Sequence, residues 1–261
     1  MIDLHCHMLP FVDDGANTII EALEMGIEAK REGINKILLT PHYMDGEYVN
    51  HKKDIVPAVK NLQRIFIDNG IDIELRAGQE IHINGELINQ IENDDILYPD
   101  KNTKRYIMFE FPHGGIPKYS NDIIFELKLR GITPIIVHPE RNMGFQKKPS
   151  MLYDLVSQGC LTQITATSFT GGFGKRIQKF TDEIVEANLG FVFSSDAHNL
   201  KGRRFMMDEA FSRLENKYGS SVVNEYKRNS ELIWNGDNVS IGDIDRIKNK
   251  KRFSDFLRNI F

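Results

Sequence analysis

The chain has 261 residues, 41% of them hydrophobic and 27% charged, and a formal net charge of -4. These proportions exclude a disordered or collagen-like protein, and the length suits a single large α/β domain. Lysine and arginine are not in excess, so we expect no nucleic-acid partner, and any anion-binding site must be a local feature.

The chain order of apolar runs predicts an α/β protein. Short aliphatic and β-branched runs alternate with longer amphipathic segments, a pattern typical of βαβ units and a parallel sheet. The predicted strands are residues 2–7, 36–42, 71–81, 106–112, 133–139, 161–167 and 191–196. The predicted helices are residues 19–31, 53–69, 121–130, 150–158 and 175–188. Seven parallel strands favour a closed barrel over an open sheet.

Caps and glycines set the ends of these elements. Thr18 with Glu21 three residues later is a capping-box pattern that opens the first helix, and Gly33 closes it. Four more glycines mark helix-to-strand junctions, as glycines that end a helix do: Gly70, Gly131, Gly159 and Gly190.

No linker or low-complexity tract divides the chain, so we predict one domain over residues 1–261. The segment from about residue 204 is helical in pattern, with Phe211, Leu214 and Tyr218 at core-like spacing. We expect these C-terminal helices to close the barrel. The basic run at residues 248–252 is interpreted as a solvated face, followed by an apolar end at residues 253–261.

The start of the chain has neither the basic residues nor the apolar run of a secretory signal, and no stretch approaches the roughly 18 apolar residues of a membrane span. Cys6 and Cys160 are too few for a disulfide framework and suit a reducing compartment. We therefore expect a cytoplasmic protein with no membrane insertion.

Side chains that can bind metal ions recur at the ends of the predicted strands. His5 and His7 lie two apart on the first strand, so both point to one face and Cys6 to the other. The later candidates are Asp14, His42, Glu80, Glu110, His138, Asp196 and His198. In a parallel barrel the carboxyl ends of the strands meet at one mouth, so these side chains should converge there.

Glu110 strengthens the metal interpretation. It stands in the apolar run YIMFEFP at residues 106–112, where an unpaired buried carboxylate would be costly. Such a glutamate needs a cation beside it.

Seven short motifs carry a resemblance to a known family. They are residues 1–10 (MIDLHCHMLP), 12–15 (VDDG), 40–42 (TPH), 78–80 (GQE), 109–111 (FEF), 137–141 (VHPER) and 195–203 (SDAHNLKGR). Their order and spacing resemble the PHP superfamily, the polymerase and histidinol phosphatase superfamily. Within it they are most similar to the capsule and exopolysaccharide branch, the bacterial manganese-dependent protein tyrosine phosphatases.

The resemblance implies a distorted, TIM-like (β/α)7 barrel with three divalent metal ions. By this resemblance His5, His7, Glu80 and Asp196 hold one ion, and Glu80 bridges to a second ion held by Glu110 and His138. Asp14, His42 and His198 hold the third. Mixed imidazole and carboxylate ligands suit manganese, iron or zinc better than magnesium or calcium, and manganese is the family's usual ion.

The same resemblance implies the reaction and the substrate. A hydroxide bridging the ions attacks phosphorus, and Arg141 and Arg203 bind the phosphate oxygens. The expected substrate is phosphotyrosine in a protein, the tail of a bacterial tyrosine kinase that controls polysaccharide export. Neither cysteine is followed by arginine at the sixth position, which excludes the loop of cysteine-nucleophile phosphatases.

Other interpretations stay open at this point. A small-molecule phosphatase, such as one acting on histidinol phosphate, would need nearly the same metal centre. A non-catalytic regulatory module is disfavoured by the complete ligand set, and the acidic composition disfavours a phosphodiesterase acting on nucleic acid.

Five further features of the sequence receive lesser roles. Asp13, next to Asp14, is a candidate to support a ligand from outside the metal centre. His51, His82 and His113 are expected to be solvated or hydrogen-bonded, with His113 near enough to a strand end to touch substrate. The glycine-rich residues 171–174 lack a phosphate-loop fingerprint and are interpreted as a mobile loop beside the mouth.

Overall fold

The computed structural model of the protein describes residues 1–247. Its strands are β1 (Ile2–Cys6), β2 (Lys36–Leu39), β3 (His42–Tyr43), β4 (Glu74–Ala77), β5 (Glu80–His82), β6 (Tyr106–Glu110), β7 (Thr133–Val137), β8 (Leu161–Thr165) and β9 (Val192–Ser194). Its helices are α1 (Ile19–Arg31), α2 (Lys52–Asp68), α3 (Leu87–Glu92), α4 (Ser120–Leu129), α5 (Met143–Lys147), α6 (Ser150–Ser157), α7 (Ala166–Thr170), α8 (Lys175–Glu186), α9 (Met207–Tyr218) and α10 (Ser220–Asn235), with a 3-10 turn at Pro139–Arg141.

Two of the predicted strands are each broken in the middle. The prediction at residues 36–42 covers both β2 and β3, and the prediction at residues 71–81 covers both β4 and β5. Each break still carries backbone hydrogen bonds, from Gly78 N to Leu39 O at 2.8 Å and from Glu80 N to Pro41 O at 3.1 Å. The other five predicted strands each contain one shorter strand.

All the strand pairs are parallel and they form a ring. One sheet has the order β1-β2-β4 and the other has the order β3-β5-β6-β7-β8-β9. The ring closes between the first and last strands, where His7 N donates to Ala197 O and Asp196 N donates to His5 O, both at 2.9 Å. The closed but interrupted ring confirms the predicted distorted seven-stranded barrel.

A buried carboxylate fastens this closing junction. Ser195 donates to Asp3 through its hydroxyl at 2.5 Å and through its backbone N–H at 2.9 Å. Burial raises the pKa of Asp3 to about 6, although the bonds from Ser195 oppose that rise. The first and last strands are thus joined by side chains as well as by backbone.

The helices lie where the sequence predicts the main ones. Thr18 Oγ1 accepts from Glu21 N at 3.1 Å, so Thr18 caps α1 as predicted. The Glu21 carboxylate accepts from Asn17 N at 2.6 Å, one residue before the position that a capping box requires. Helix α10 packs against β1 and β9, and α9 packs against α7 and α10. No helix in residues 1–247 combines the length and apolar character needed to cross a membrane.

Two predictions about the chain's organisation have different outcomes. The single domain over residues 1–261 stays a prediction, and the runs at residues 248–252 and 253–261 lie outside the described residues.

The role given to Gly190, as a glycine that ends a helix, is wrong, because Asn188 takes the left-handed conformation there, with φ of 55°. Gly190 is needed for space instead, since a Cβ at this position would lie 2.5 Å from Ile164 Cδ1.

Candidate metal centre

The barrel brings all nine predicted ligands to its mouth. Asp14 lies in the loop between β1 and α1, and the other eight lie in a strand or within four residues of its end: His5, His7, His42, Glu80, Glu110, His138, Asp196 and His198. Their donor atoms form four overlapping groups in which the atoms lie within 4.8 Å of one another. Six segments of the chain therefore supply donor atoms to one place.

The two histidines at the end of β1 are held by contacts on the sides of their rings that face away from the shared centre. His5 Nε2 and His7 Nε2 lie 3.1 Å apart, and both residues are fully buried. Gln163 Oε1 lies 2.9 Å from His5 Nδ1, and Asp13 Oδ2 lies 2.7 Å from His7 Nδ1. These contacts hold both rings with their Nε2 atoms facing the shared centre.

Asp13 therefore has the supporting position that the sequence suggested. Besides His7, it accepts from Gly15 N at 3.0 Å and His42 N at 3.2 Å. Gln163 was not singled out in the sequence. Its only signal is a polar side chain in the middle of a fully buried strand, β8.

Glu80 lies at the middle of the cluster. Its Oε2 is 3.2 Å from both His5 Nε2 and His7 Nε2 and 3.0 Å from His42 Nδ1, while its Oε1 is 2.6 Å from His138 Nε2. Burial alone would raise the pKa of Glu80, but His5 and His138 hold it well below its usual range. This carboxylate is ionised and surrounded by imidazoles.

Glu110 lies beside this central group and has a partner that the sequence interpretation missed. Glu110 Oε2 is 3.9 Å from His138 Nε2, and Glu110 Oε1 is 3.2 Å from His82 Nδ1. That contact raises the pKa of His82. His82 follows Glu80 by two residues on the same short strand, so strand alternation was the signal that could have found it.

A third group of donors lies at the outer side of the mouth. Asp14 Oδ1 is 3.3 Å from His42 Nε2 and 3.2 Å from His198 Nε2. His7 also belongs to this group, and its ring stacks on that of His198 with centroids 3.8 Å apart. The groups share members, so the allocation of ligands to three separate ions stays a prediction.

Both predicted phosphate-binding arginines reach the same buried carboxylate. Arg141 Nη1 pairs with Asp196 Oδ2, and Arg203 Nη2 lies 3.1 Å from Asp196 Oδ1. Arg203 Nη1 also lies 3.2 Å from Asp14 Oδ2. Burial would raise the pKa of Asp196, but the two guanidinium groups hold it well below its usual range. The arginines therefore border the ligand cluster.

Two ligand positions have a strained backbone. His138 has φ of 35° and Asp196 has φ of 51°, the left-handed region that residues with a side chain rarely occupy. Each ends a strand, and the unusual backbone turns the chain at the mouth. Strain of this kind persists where the surrounding structure enforces it, which is common at functional sites.

One structural observation shows that these donor atoms suit divalent metal ions. Glu80 Oε2, His42 Nδ1 and His198 Nε2 are buried and make no hydrogen bond within residues 1–247. Opposite partners nevertheless lie 3.0 Å (Glu80 to His42) and 3.2 Å (His198 to Asp14) away. Close donors without hydrogen-bond geometry suit a shared cation, and imidazole with carboxylate is a donor set for transition metals.

The remaining candidates lie around the cluster. His51 is bonded to Asp95 at 2.6 Å, away from the ligands, as expected. Burial and Arg141 lower the pKa of His113. Phe173, in the glycine-rich loop, has its ring centre 5.6 Å from the Arg141 guanidinium carbon, which places this loop beside the mouth.

The cysteines lie in the core. Cys6 and Cys160 are both fully buried. Burial raises the pKa of Cys160 to about 12 and raises the pKa of Cys6 as well. Both thiols therefore stay protonated at neutral pH and are poor nucleophiles.

Comparisons with known proteins identify relatives of this chain. The chain is 38% identical over 256 residues to the tyrosine-protein phosphatase YwqE of Bacillus subtilis (strain 168). That alignment covers 98% of this chain and 100% of YwqE. It is 28% identical over 230 residues to the tyrosine-protein phosphatase CpsB of Streptococcus pneumoniae, in an alignment that covers 86% of this chain and 94% of CpsB.

A solved structure and a family profile complete the comparison. The structure comes from work on YwqE and CpsB, described as unique metal-dependent tyrosine phosphatases, and it matches with a TM-score of 0.92 at 38% identity, covering 95% of this chain and 100% of that chain. The profile of the capsular polysaccharide synthesis family CpsB/CapC matches residues 1–233. The chain belongs to the CpsB/CapC family.

Proposed function

We propose that this protein is a metal-dependent protein-tyrosine phosphatase. The relatives named above are tyrosine phosphatases, and the solved structure is of proteins described as metal-dependent. Neither a histidinol phosphatase nor a regulatory module gains support from these relatives. The nine ligands and two arginines named from the sequence are proposed as the active site.

One observation carries the proposal: Glu80 is a buried carboxylate with four imidazoles within 3.2 Å. A single carboxylate facing so many nitrogen donors is suited to bridge cations. We propose three ions, with manganese as the resident metal. When bound, such ions lower the pKa of a coordinated water and offset charge on the phosphate oxygens.

The chain's own residues have separate tasks in this reaction. Arg141 and Arg203 bind the non-bridging phosphate oxygens, because a guanidinium has five N–H donors in a planar fork. Only Nη1 of Arg141 is used by a carboxylate within the described residues. Gln163 and Asp13 orient the two β1 histidines, and full burial of those rings excludes bulk water from the inner ligands.

We infer that the substrate is phosphotyrosine in the tail of a bacterial tyrosine kinase that regulates capsule or exopolysaccharide synthesis, in the cytoplasm. The support is the family's description as capsular polysaccharide synthesis proteins and the names of its members. A phenolic leaving group, with a pKa of about 10, also departs more readily than an alkoxide and makes fewer demands on a general acid.

The test compares three substrates in one preparation. A phosphotyrosine peptide, histidinol phosphate and a phosphodiester are each incubated with Mn²⁺ or with a chelator. We expect hydrolysis of the phosphotyrosine peptide in Mn²⁺ and none in chelator. Preference for histidinol phosphate, cleavage of the diester, or activity that survives complete metal removal would contradict the proposal.

A further inference from the structure

A groove with a basic rim lies between α5 and α8. It has a volume of about 390 Å³, and its apolar lining includes Met143 and Phe180. Lys147, Arg176 and Lys179 form its rim together with Glu183. We call this surface the basic groove. Its apolar floor and charged rim resemble a shallow peptide-binding surface.

The charge of the basic groove contrasts with that of the protein. The whole chain has a net charge of -4, yet the rim has three cations and one carboxylate. Glu183 Oε1 lies 3.8 Å from Lys179 Nζ, so it offsets one of them. Lys148 and Lys175 are exposed and flank the groove in the sequence. A local excess of positive charge in an acidic protein selects an anionic partner.

The basic groove begins beside the proposed phosphate-binding site. The 3-10 turn that contains Arg141 leads directly into α5. Gln146 Nε2 donates to Glu140 O at 2.7 Å, and Arg176 Nη2 donates to Gln146 Oε1 at 2.5 Å. Phe173, whose ring lies beside the Arg141 guanidinium, is two residues before the start of α8. Continuous contacts thus connect the mouth to the rim.

We propose that the basic groove binds an acidic segment of the phosphoprotein substrate, adjacent in sequence to the phosphotyrosine. The occupant is an extended peptide with Asp or Glu beside the phosphorylated residue. Its carboxylates contact the cations of the rim while the phosphate occupies the mouth. This inference rests on the proposed phosphatase function, and it adds a preference that the metal centre alone cannot supply.

The experiment pairs two charge-reversal variants. Lys147→Glu with Lys179→Glu alters the rim, and Lys30→Glu with Lys60→Glu is the control. The two pairs change the net charge equally, and in each pair one lysine lies in the last turn of a helix and the other is exposed within a helix. Substrates are p-nitrophenyl phosphate, an acidic-flanked phosphotyrosine peptide and the same peptide with Gln and Asn flanks.

We expect wild type and the control to prefer the acidic-flanked peptide by about tenfold in kcat/KM at low salt, since several exposed ion pairs act together. High salt should reduce this preference. The rim variant should lose it, while its rate on p-nitrophenyl phosphate and its metal content stay at the wild-type level. Fluorescence anisotropy of the acidic-flanked peptide in chelator, without turnover, should show the same order of binding.

Four outcomes would overturn the inference. The acidic preference could survive in the rim variant, wild type could show no preference, or the control could lose as much as the rim variant. A rim variant that lost only its binding to phosphatidylserine vesicles would assign the groove to a membrane surface. Failure of wild type to hydrolyse any substrate would instead contradict the phosphatase function, and the anisotropy order would still decide the groove.

Discussion

The two ends of the barrel use the left-handed backbone differently. At the base, where helices lead into strands, it falls on Gly33, Gly70, Gly131 and Gly159, which adopt it without steric cost, and on one residue with a side chain, Asn188. At the mouth, it falls on four residues with side chains, Phe11, Met44, His138 and Asp196, as well as on Gly171 and Gly174 of the glycine-rich loop. The base is built for stability, whereas the mouth accepts strain where a particular side chain is required.

Burial differs between the two ends in the same sense. The interior near the strand starts is mostly apolar, as with Ile37 and Ile135, which are at most 1% exposed, although Asp3 is a buried carboxylate there. At the mouth, buried charges are held in place by one another: Glu80 among histidines and Asp196 between two arginines. Such groups destabilise a fold when they lack partners, so the mouth depends on its electrostatic completeness.

The largest expected effect is from Glu80→Ala. Removing the central carboxylate should remove bound metal and lower the rate on a phosphotyrosine peptide by roughly 10³-fold or more, because several kcal/mol of charge stabilisation disappear together. Elemental analysis and steady-state rates on the purified variant measure both. A full metal complement with a near-normal rate would show that Glu80 is not a shared ligand.

The matched change at the other end is Ile37→Ala. It should lower the free energy of unfolding by about 2–5 kcal/mol, as a large-to-small core substitution does, while the folded protein keeps its kcat and metal. Denaturant unfolding and rates below the midpoint test this. If Ile37→Ala lost metal as Glu80→Ala does, the two ends would not be independent.

A smaller effect is expected from Arg203→Ala. A lost phosphate donor should lower kcat by about 10²-fold, by analogy with removal of one preorganised hydrogen-bond donor. The metals should stay in place, since Arg203 is not a ligand. Elemental analysis beside the Glu80→Ala measurement separates phosphate binding from metal binding, and metal loss in Arg203→Ala would assign it a structural role.

Much of the contrast between the base and the mouth of the barrel could be predicted from the sequence. The alternation of His5 and His7 around Cys6 requires only the period of a strand, and the glycines of the base follow helix ends. Gln163 could not be ranked in advance, because its contact with His5 joins residues 158 positions apart. That distance is spanned only by the order of the strands around the barrel.

The failures have physical causes of the same kind. The break between β2 and β3 falls at Thr40 and Pro41, directly after the apolar residues 37–39. The prediction of one strand through residue 42 passed over Pro41, which has no backbone N–H to donate to a neighbouring strand. Gly190 follows a helix as a closing glycine does, but Asn188 ends that helix and Gly190 makes room for Ile164. Local pattern cannot distinguish a glycine needed for its backbone from one needed for its small size.

The pH dependence of metal binding gives a moderate effect. In the metal-free protein, burial lowers the pKa of His7, but Asp13 and Glu80 outweigh that effect and raise it to about 9. Burial also opposes protonation of His42, but Asp14 and Glu80 raise its pKa to about 11. Both rings are therefore protonated at pH 7, and a metal must displace those protons to bind. Apparent Mn²⁺ affinity should rise with pH between about 6 and 9, with about two protons released per protein near pH 7.

Calorimetric titration in two buffers of different ionisation enthalpy counts those protons. The stability of the metal-free protein should change with pH in the opposite direction to its metal affinity. The stabilisation that protonated His7 gives is complete below pH 6.5 and is lost as the pH rises through about 9. Affinity that stayed flat over this range, with no proton release, would mean that these histidines are neutral before metal binds.

The smallest effect tests the contrast in backbone strain directly. Phe11 is 71% exposed with φ of 71°, and Gly131 has φ of 72° with no atom of residues 1–247 within 4 Å of an added Cβ. Left-handed backbone costs a residue with a side chain about 1–2 kcal/mol, partly offset by the greater freedom of glycine in the unfolded chain. Phe11→Gly should therefore stabilise the metal-free protein by about 0.5 kcal/mol, and Gly131→Ala should destabilise it by about 1 kcal/mol. Urea unfolding of both variants measures the signs, and equal signs would mean that strain is not what separates the mouth from the base.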